Sequence, residues 1–305
     1  MKIKGIHAAP ALITVVAAMM CAAEYLDINK LSGEGSPFLT LAILQIICIG
    51  LPAVFFCLLR GNEYRHTLGL RLMKAKHATL CVYAFLFMIS GTMALSLLLY
   101  SFFPEAFAAS GMDSFSAEYS KEMAGEGFYI AITVAILPAI LEELLIRGVV
   151  RSEYSKYGGG AAIIMSSVLF GLLHFSPVRF PIYFFCGVVL ALTASAADSI
   201  MPAVIVHVAN NLFVLYFEKY VYKIAGKHSG GIILLVFIVV LVMLISAILF
   251  FSKAENIYWD YSASNKPAPL VKKKTIADAP LLLQAILSPT LLLLIVFWAV
   301  VSFML

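Results

Sequence analysis

Charge is scarce in this chain. Of its 305 residues, 12% are charged and 62% are hydrophobic, whereas a soluble domain has about 25% charged and about 45–50% apolar residues. No hydrophilic stretch is long enough to form a separate soluble domain. The net charge of +4 is modest, and no basic-aromatic pattern indicates a nucleic-acid surface. The composition predicts an integral membrane protein with membrane lipid, and no nucleic acid, among its partners.

Several chemical signatures are also missing. The five cysteines lie in apolar runs without a C-x-x-C pair, which predicts small buried hydrophobes: Cys21, Cys48, Cys57, Cys81 and Cys186. The chain has no Gly-x-Ser-x-Gly, no Ser-Lys pair in its polar spans, and no Gly-Asp pair of the presenilin type. Serine and aspartyl intramembrane mechanisms therefore have little support. A helical His-Glu-x-x-His zinc motif is absent as well.

Hydrophobic runs predict an all-α polytopic bundle of about nine transmembrane spans, because a membrane helix needs about 20 largely apolar residues. The predicted spans are 8–25, 37–59, 77–103, 127–146, 160–176, 180–200, 202–218, 231–252 and 281–304. The fifth is short, and Pro138 in the fourth predicts a local kink.

Lysine and arginine predict the orientation of the bundle. Most of the 21 basic residues fall on the same side as the N-terminus when that end is placed in the cytoplasm. The linker 253–280 contains the run Lys272–Lys274 and is predicted to be a basic cytoplasmic loop near anionic headgroups. Compact loops and the lack of organelle signals favour a bacterial plasma membrane.

Two adjacent acids lie inside an apolar segment, where a charged side chain costs roughly 2.5 kcal/mol or more. Glu143 and Arg147 are four residues apart, so they share a helix face and can pair. Glu142 points about 100° away and has no arginine partner on its own helix. We therefore expect Glu142 to be a general base and the Glu143–Arg147 pair to be a structural brace. The alternative is a helix-end charge cluster that snorkels to the membrane interface.

Two histidines lie on later helices. His174 follows Phe170 by one turn, and an interfacial histidine is the alternative interpretation there. His207 and Asn211 share one face, and the Asn211 amide could donate to a developing oxyanion or hold the tautomer of His207. Asn210 points elsewhere and is interpreted as a polar helix-packing residue.

Together these residues suit water activation and attack on a carbonyl carbon. A glutamate can take the proton directly from water or from a metal-bound water. His174 and His207 with a carboxylate are a tentative zinc site.

The three motifs, in this order on consecutive polar helices, resemble the CPBP family of CAAX prenyl protease type II-like intramembrane endopeptidases, also called Abi proteins. The matching residues are Glu142-Glu143-x-x-x-Arg147, Phe170-x-x-x-His174 and His207-x-x-x-Asn211, with a further box at Leu68-Gly69-Leu70-Arg71. The resemblance covers about residues 60–220, which it implies to be a protease core. Residues 1–59 and 221–305 are assigned only as membrane spans, the latter with the basic cytoplasmic loop.

The resemblance also implies roles for these residues in a cavity near the cytoplasmic face. Glu142 would be the catalytic base and Glu143 with Arg147 would organise it. His174 would bind or activate the water, and His207 with Asn211 would ligate or polarise the substrate carbonyl. Family members are usually called metalloproteases, although a metal-free glutamate mechanism has also been proposed for them.

The sequence thus predicts an intramembrane endopeptidase that acts on a peptide or a lipidated protein substrate. A non-catalytic bacteriocin self-immunity or scaffold protein is the first alternative. A transporter with a proton relay is the second, although the chain lacks the repeated halves of that class.

Overall fold

The computed structural model describes residues 5–24, 37–109, 127–226, 230–263 and 279–304, which are mostly helical and include no β-strand. Within those ranges, seven helices are long and apolar enough to cross a membrane: Ile6–Ala23, Phe38–Arg60, Ala75–Phe102, Gly127–Ser155, Phe180–Ala197, Met201–Ile224 and Gly231–Asp260. The chain is an integral membrane protein with an all-α bundle, as its composition predicts.

Two shorter apolar helices occupy the remaining predicted spans. Gly159–Leu172 has 14 residues and Pro289–Met304 has 16. At 1.5 Å per residue they measure about 21 and about 24 Å, against about 30 Å for the hydrocarbon core. The count of nine spans therefore stays a prediction, and the short fifth segment is short in the structure as well.

Numbered in chain order, the α-helices are α1 Gly5–Glu24, α2 Pro37–Gln45, α3 Leu51–Arg60, α4 Ala78–Phe102, α5 Pro104–Ala109, α6 Gly127–Ile130, α7 Leu137–Glu143, α8 Arg151–Ser155, α9 Gly159–Leu172, α10 Phe180–Ala197, α11 Met201–Phe213, α12 Lys219–Ala225, α13 Gly231–Ala263, α14 Ala279–Ile286 and α15 Pro289–Met304. Four π-helical segments continue some of these helices into longer spans: Ile46–Gly50, Ala131–Ile136, Leu144–Val150 and Val214–Glu218.

The irregular backbone expected near Pro138 takes the form of the π segment Ala131–Ile136, which ends just before α7. Proline lacks the N–H that an α-helix needs at that position. Side chains from other helices bind two carbonyls of this segment. Gln45 Nε2 donates to Thr133 O at 2.9 Å, and Asn211 Nδ2 donates to Ala135 O at 3.3 Å. The segment before the two acids is thereby tied to two neighbouring helices.

Helix α4 lies at the centre of the described bundle and packs against α10, α11 and α13. Helices α9 and α10 form an antiparallel hairpin, while α11 contacts α7, α10 and α4. Helices α1 and α15 pack against each other although they come from opposite ends of the chain. This arrangement places the helices with polar residues side by side.

The five cysteines are free thiols and are buried or half-buried, in agreement with their interpretation as small hydrophobes. The basic run Lys272–Lys274 of the predicted cytoplasmic loop lies outside the described residues. Lys2 and Lys4, which contribute to the predicted orientation, lie outside them as well.

The closest approach between α9 and α10 depends on Gly187. A Cβ atom there would meet Ser167 Cα at 2.8 Å, which is backbone that cannot move aside. Small residues let membrane helices approach in this way. The contact brings the carbonyl of Gly187 to the arginine of the first motif.

We expect Gly187→Ala to destabilise the bundle by about 1–3 kcal/mol because α9 and α10 must separate. Thermal unfolding in detergent measures this. Gly160→Ala is the matched control on α9, since nothing lies within 4 Å of its Cβ position, and it should be neutral or slightly stabilising. Equal melting temperatures for the two variants would show that the Gly187 contact is not tight.

Candidate active site

Glu143 and Arg147 form a fully buried ion pair. Arg147 Nη1 donates to Glu143 Oε1 at 2.7 Å, and both side chains have 0% exposure. Arg147 Nη2 donates to Gly187 O on α10 at 3.0 Å. The guanidinium lies 4.6 Å from the centre of the Phe170 ring. The pairing predicted from the four-residue spacing is present, and the snorkelling alternative is wrong because Arg147 does not reach the surface.

His207 joins this pair from α11. Its Nδ1 lies 3.0 Å from Glu143 Oε1, so Glu143 accepts from Arg147 and from His207 at one oxygen. A carboxylate oxygen accepts hydrogen bonds, and the proton on this ring therefore lies on Nδ1. Nε2 faces the other acid, with Glu142 Oε2 at 3.8 Å.

The structure corrects one suggestion about Asn211. Asn211 does not hold the tautomer of His207, because Glu143 makes the contact with Nδ1. Asn211 instead donates to Ala135 O in the π segment before α7. The reason is that His207 Nδ1 points across to α7, while the Asn211 amide, one turn later, reaches an irregular carbonyl. Its suggested role at an oxyanion stays a prediction.

Glu142 differs from its neighbour Glu143 in exposure and in contact partners. Its side chain is 18% exposed, whereas that of Glu143 is fully buried. Arg147 directs its two hydrogen bonds to Glu143 and Gly187. Adjacent residues on one helix therefore have separate environments, as their 100° offset predicts.

His174 lies in the turn that follows α9. Its Nδ1 donates to Phe170 O at 2.9 Å, which leaves Nε2 with the lone pair. The next residue, Phe175, has φ of 47°, an uncommon value for a bulky side chain that turns the chain sharply toward α10. The Phe170 ring packs edge-on against both imidazoles, at 4.9 Å from His174 and 5.7 Å from His207.

Tyr183 on α10 also contributes to the site. Its ring stacks on His174 with centroids 3.8 Å apart and an interplanar angle of 18°. The sequence motifs predict a role at the site neither for Tyr183 nor for Gly187. No spacing rule links either residue to the three motifs, because the contacts are made between helices.

The Leu68–Arg71 box contacts the turn between α10 and α11, the helix that carries the third motif. Gly69, with φ of 68°, accepts at its carbonyl from Ile200 N at 3.0 Å, directly before α11. Arg71 forms an ion pair with Asp198 at the end of α10. The box is thereby tied to Ile200, seven residues before His207.

The tentative zinc ligands do not form a recognisable metal site. Among the described residues, no group of three or more His, Cys, Asp or Glu side chains is placed to hold a metal ion. Catalytic zinc usually has three protein ligands. The Nδ1 atoms of His174 and His207 are used in hydrogen bonds, so Nε2 is the ring nitrogen of each that could bind a metal. Zinc therefore stays a prediction.

Two acids, an arginine and two histidines lie together between the helices of this membrane bundle, and ionisable residues in such positions commonly mark a functional site. Residues 124–213 match the family model described as type II CAAX prenyl endopeptidase Rce1-like. This segment contains all three motifs and confirms the resemblance to the CPBP and CAAX protease family. The match supports a CAAX protease type II-like hydrolase. Comparisons with curated proteins and with solved structures found no match.

The buried ion pair yields a prediction about stability. Arg147→Met leaves the Glu143 carboxylate buried without its cation and should cost about 3–5 kcal/mol. Adding Glu143→Gln should recover part of that loss, because the uncompensated charge is then removed. Thermal unfolding in detergent measures both variants.

Arg71→Met is the control. The Arg71 side chain is 62% exposed in its ion pair with Asp198, and an exposed ion pair contributes about 0–1 kcal/mol to stability. The account of the pair would be contradicted if Arg147→Met were no more destabilising than Arg71→Met.

Proposed function

We propose that the chain is an intramembrane endopeptidase that hydrolyses a peptide bond in a peptide or protein tail near the cytoplasmic membrane face. One observation carries this proposal: two adjacent acids have opposite environments. Glu143 is buried and held by Arg147 and His207, whereas Glu142 is partly exposed and faces His207 Nε2. Enzymes that use two carboxylates commonly assign them different roles through their environments.

Glu142 is the proposed general base. It accepts a proton from a water molecule as the water oxygen attacks the carbonyl carbon of the scissile bond. His174 is proposed to orient this water, because its Nε2 is the ring nitrogen left to accept a hydrogen bond. The proton taken by Glu142 then passes to the leaving amine when the C–N bond breaks, so the base is regenerated.

His207 is the proposed electrophilic residue. When Nε2 carries a proton, it can donate to the carbonyl oxygen that gains negative charge during the attack. The Glu143 carboxylate on Nδ1 stabilises the protonated ring and fixes its orientation. Arg147 in turn holds Glu143, so the ion pair acts on the reaction through His207.

Two arguments support the proposed class of substrate. The family description names a prenyl endopeptidase, and a lipidated or apolar tail would partition into the membrane in which the site lies. The cytoplasmic position of the site rests on the distribution of lysine and arginine in the sequence, and the bacterial plasma membrane is favoured by the compact loops.

Glu142→Gln should lower the cleavage rate by about 10²–10⁴-fold, the usual contribution of a positioned base, while the protein stays folded. The measurement is the rate of cleavage of a lipidated peptide by detergent-purified protein, with the melting temperature as the check on folding. Glu255→Gln serves as the control because Glu255 is exposed on α13 and bonds only locally to Trp259.

Full cleavage by Glu142→Gln would eliminate Glu142 as the base. If the wild type cleaved no offered peptide but protected cells from a toxic peptide, and Glu142→Gln protected equally well, the immunity or scaffold alternative would replace the proposal.

Metal removal tests the direct role of Glu142. If Glu142 takes the proton from water directly, as the lack of a three-residue ligand group among the described residues favours, cleavage should persist after chelation and zinc should be substoichiometric in the purified protein. Near-stoichiometric zinc that falls in His207→Ala, with activity lost on chelation and restored by zinc, would contradict this expectation and assign a metalloprotease mechanism.

A further inference from the structure

We propose that Tyr183 is a positioning residue that fixes the ring orientation and tautomer of His174. Its catalytic consequence rests on the proposed hydrolysis, but the positioning itself does not. Tyr183 lies on α10, a helix that carries none of the three motifs, and its ring covers one face of the His174 imidazole at 3.8 Å.

Three contacts restrain His174. Its Nδ1 donates to Phe170 O, the edge of the Phe170 ring packs against it, and the face of Tyr183 stacks on it. The hydrogen bond alone can be lost by rotation of the ring about its Cβ–Cγ bond. An aromatic ring stacked at 18° opposes that rotation because rotation would drive the imidazole edge into the ring. By opposing that rotation, Tyr183 preserves the hydrogen bond to Phe170 O, and this bond keeps the proton on Nδ1 and the lone pair on Nε2.

Helix α10 connects this contact to the other half of the site. Tyr183 and Gly187 are four residues apart and share one helix face. Gly187 O accepts from Arg147 Nη2 at 3.0 Å, while Tyr183 stacks on His174. One face of α10 thus positions both the ion pair and the histidine, and the close contact of Gly187 with Ser167 holds that face in place.

The stacking contact requires the ring of Tyr183 and not its hydroxyl group. Tyr183→Phe keeps the ring, whereas Tyr183→Leu removes it and Tyr183→Met fills the space without a flat face. A positioning role predicts that phenylalanine preserves function and that the two aliphatic side chains do not. A role for the hydroxyl in proton transfer predicts that all three variants fail alike.

Nuclear magnetic resonance of detergent-solubilised protein with ¹⁵N-labelled histidine rings tests the positioning directly. The chain has six histidines, and His174→Gln identifies the signals of His174. In the wild type and in Tyr183→Phe we expect a protonated Nδ1 and an unprotonated Nε2. In Tyr183→Leu and Tyr183→Met we expect a mixture of tautomers. Tyr220→Leu, an exposed tyrosine on α12, is the control. Unchanged His174 signals in the Leu and Met variants would overturn the proposal.

Cleavage rates supply the second measurement. Tyr183→Leu should lower kcat about tenfold or more and leave KM within about twofold, because misplaced catalytic groups slow the chemical step. In a His174→Gln background the same substitution should have no further effect. An equal loss in both backgrounds would show a general structural role. If the wild type cleaved no substrate, the proposed function would fail, while the tautomer measurement would still decide the role of Tyr183.

Discussion

The carboxylate of Glu143 is fully buried in the bundle, and one of its oxygens accepts hydrogen bonds from both Arg147 and His207. A carboxylate in such a place is tolerated only when cations or donors compensate it, since the cost of desolvating the charge is several kcal/mol. The partners come from different elements, because Arg147 follows on the same span and His207 lies on α11. Arg147 also binds Gly187 on α10 and the ring of Phe170 on α9. Four helices are therefore brought together by this one buried ion pair.

The rest of the site takes its shape from this arrangement. Because Nδ1 of His207 is hydrogen-bonded to Glu143, Nε2 of the same ring faces Glu142. The Phe170 ring packs against the Arg147 guanidinium and also contacts the imidazoles of His174 and His207. The irregular π segments on either side of α7 lie where polar groups from neighbouring helices enter the span. Such segments are often found at functional sites in membrane and soluble helices alike.

Local patterns in the sequence predicted a large part of this structure. Hydropathy predicted the long helices, and the four-residue spacing predicted the pairing of Glu143 with Arg147 and the separate environment of Glu142. Contacts between helices were harder to predict from the sequence. Glu143 and His207 are 64 residues apart, and Arg147 and Gly187 are 40 apart. Periodicity tells which residues share a helix face but not which helix that face meets, so Tyr183, Gly187 and the partner of Asn211 could not be found from spacing.

The coupling between Glu143 and His207 is the most direct test of the account. Cleavage rates would be measured for Glu143→Gln, for His207→Gln and for the double variant, with the folded fraction of each determined separately. If Glu143 acts on the reaction through His207, the double variant should be no slower than the slower single variant, because residues that act as a unit are strongly non-additive. Losses that multiply in the double variant would show that the two residues act independently and would contradict the account.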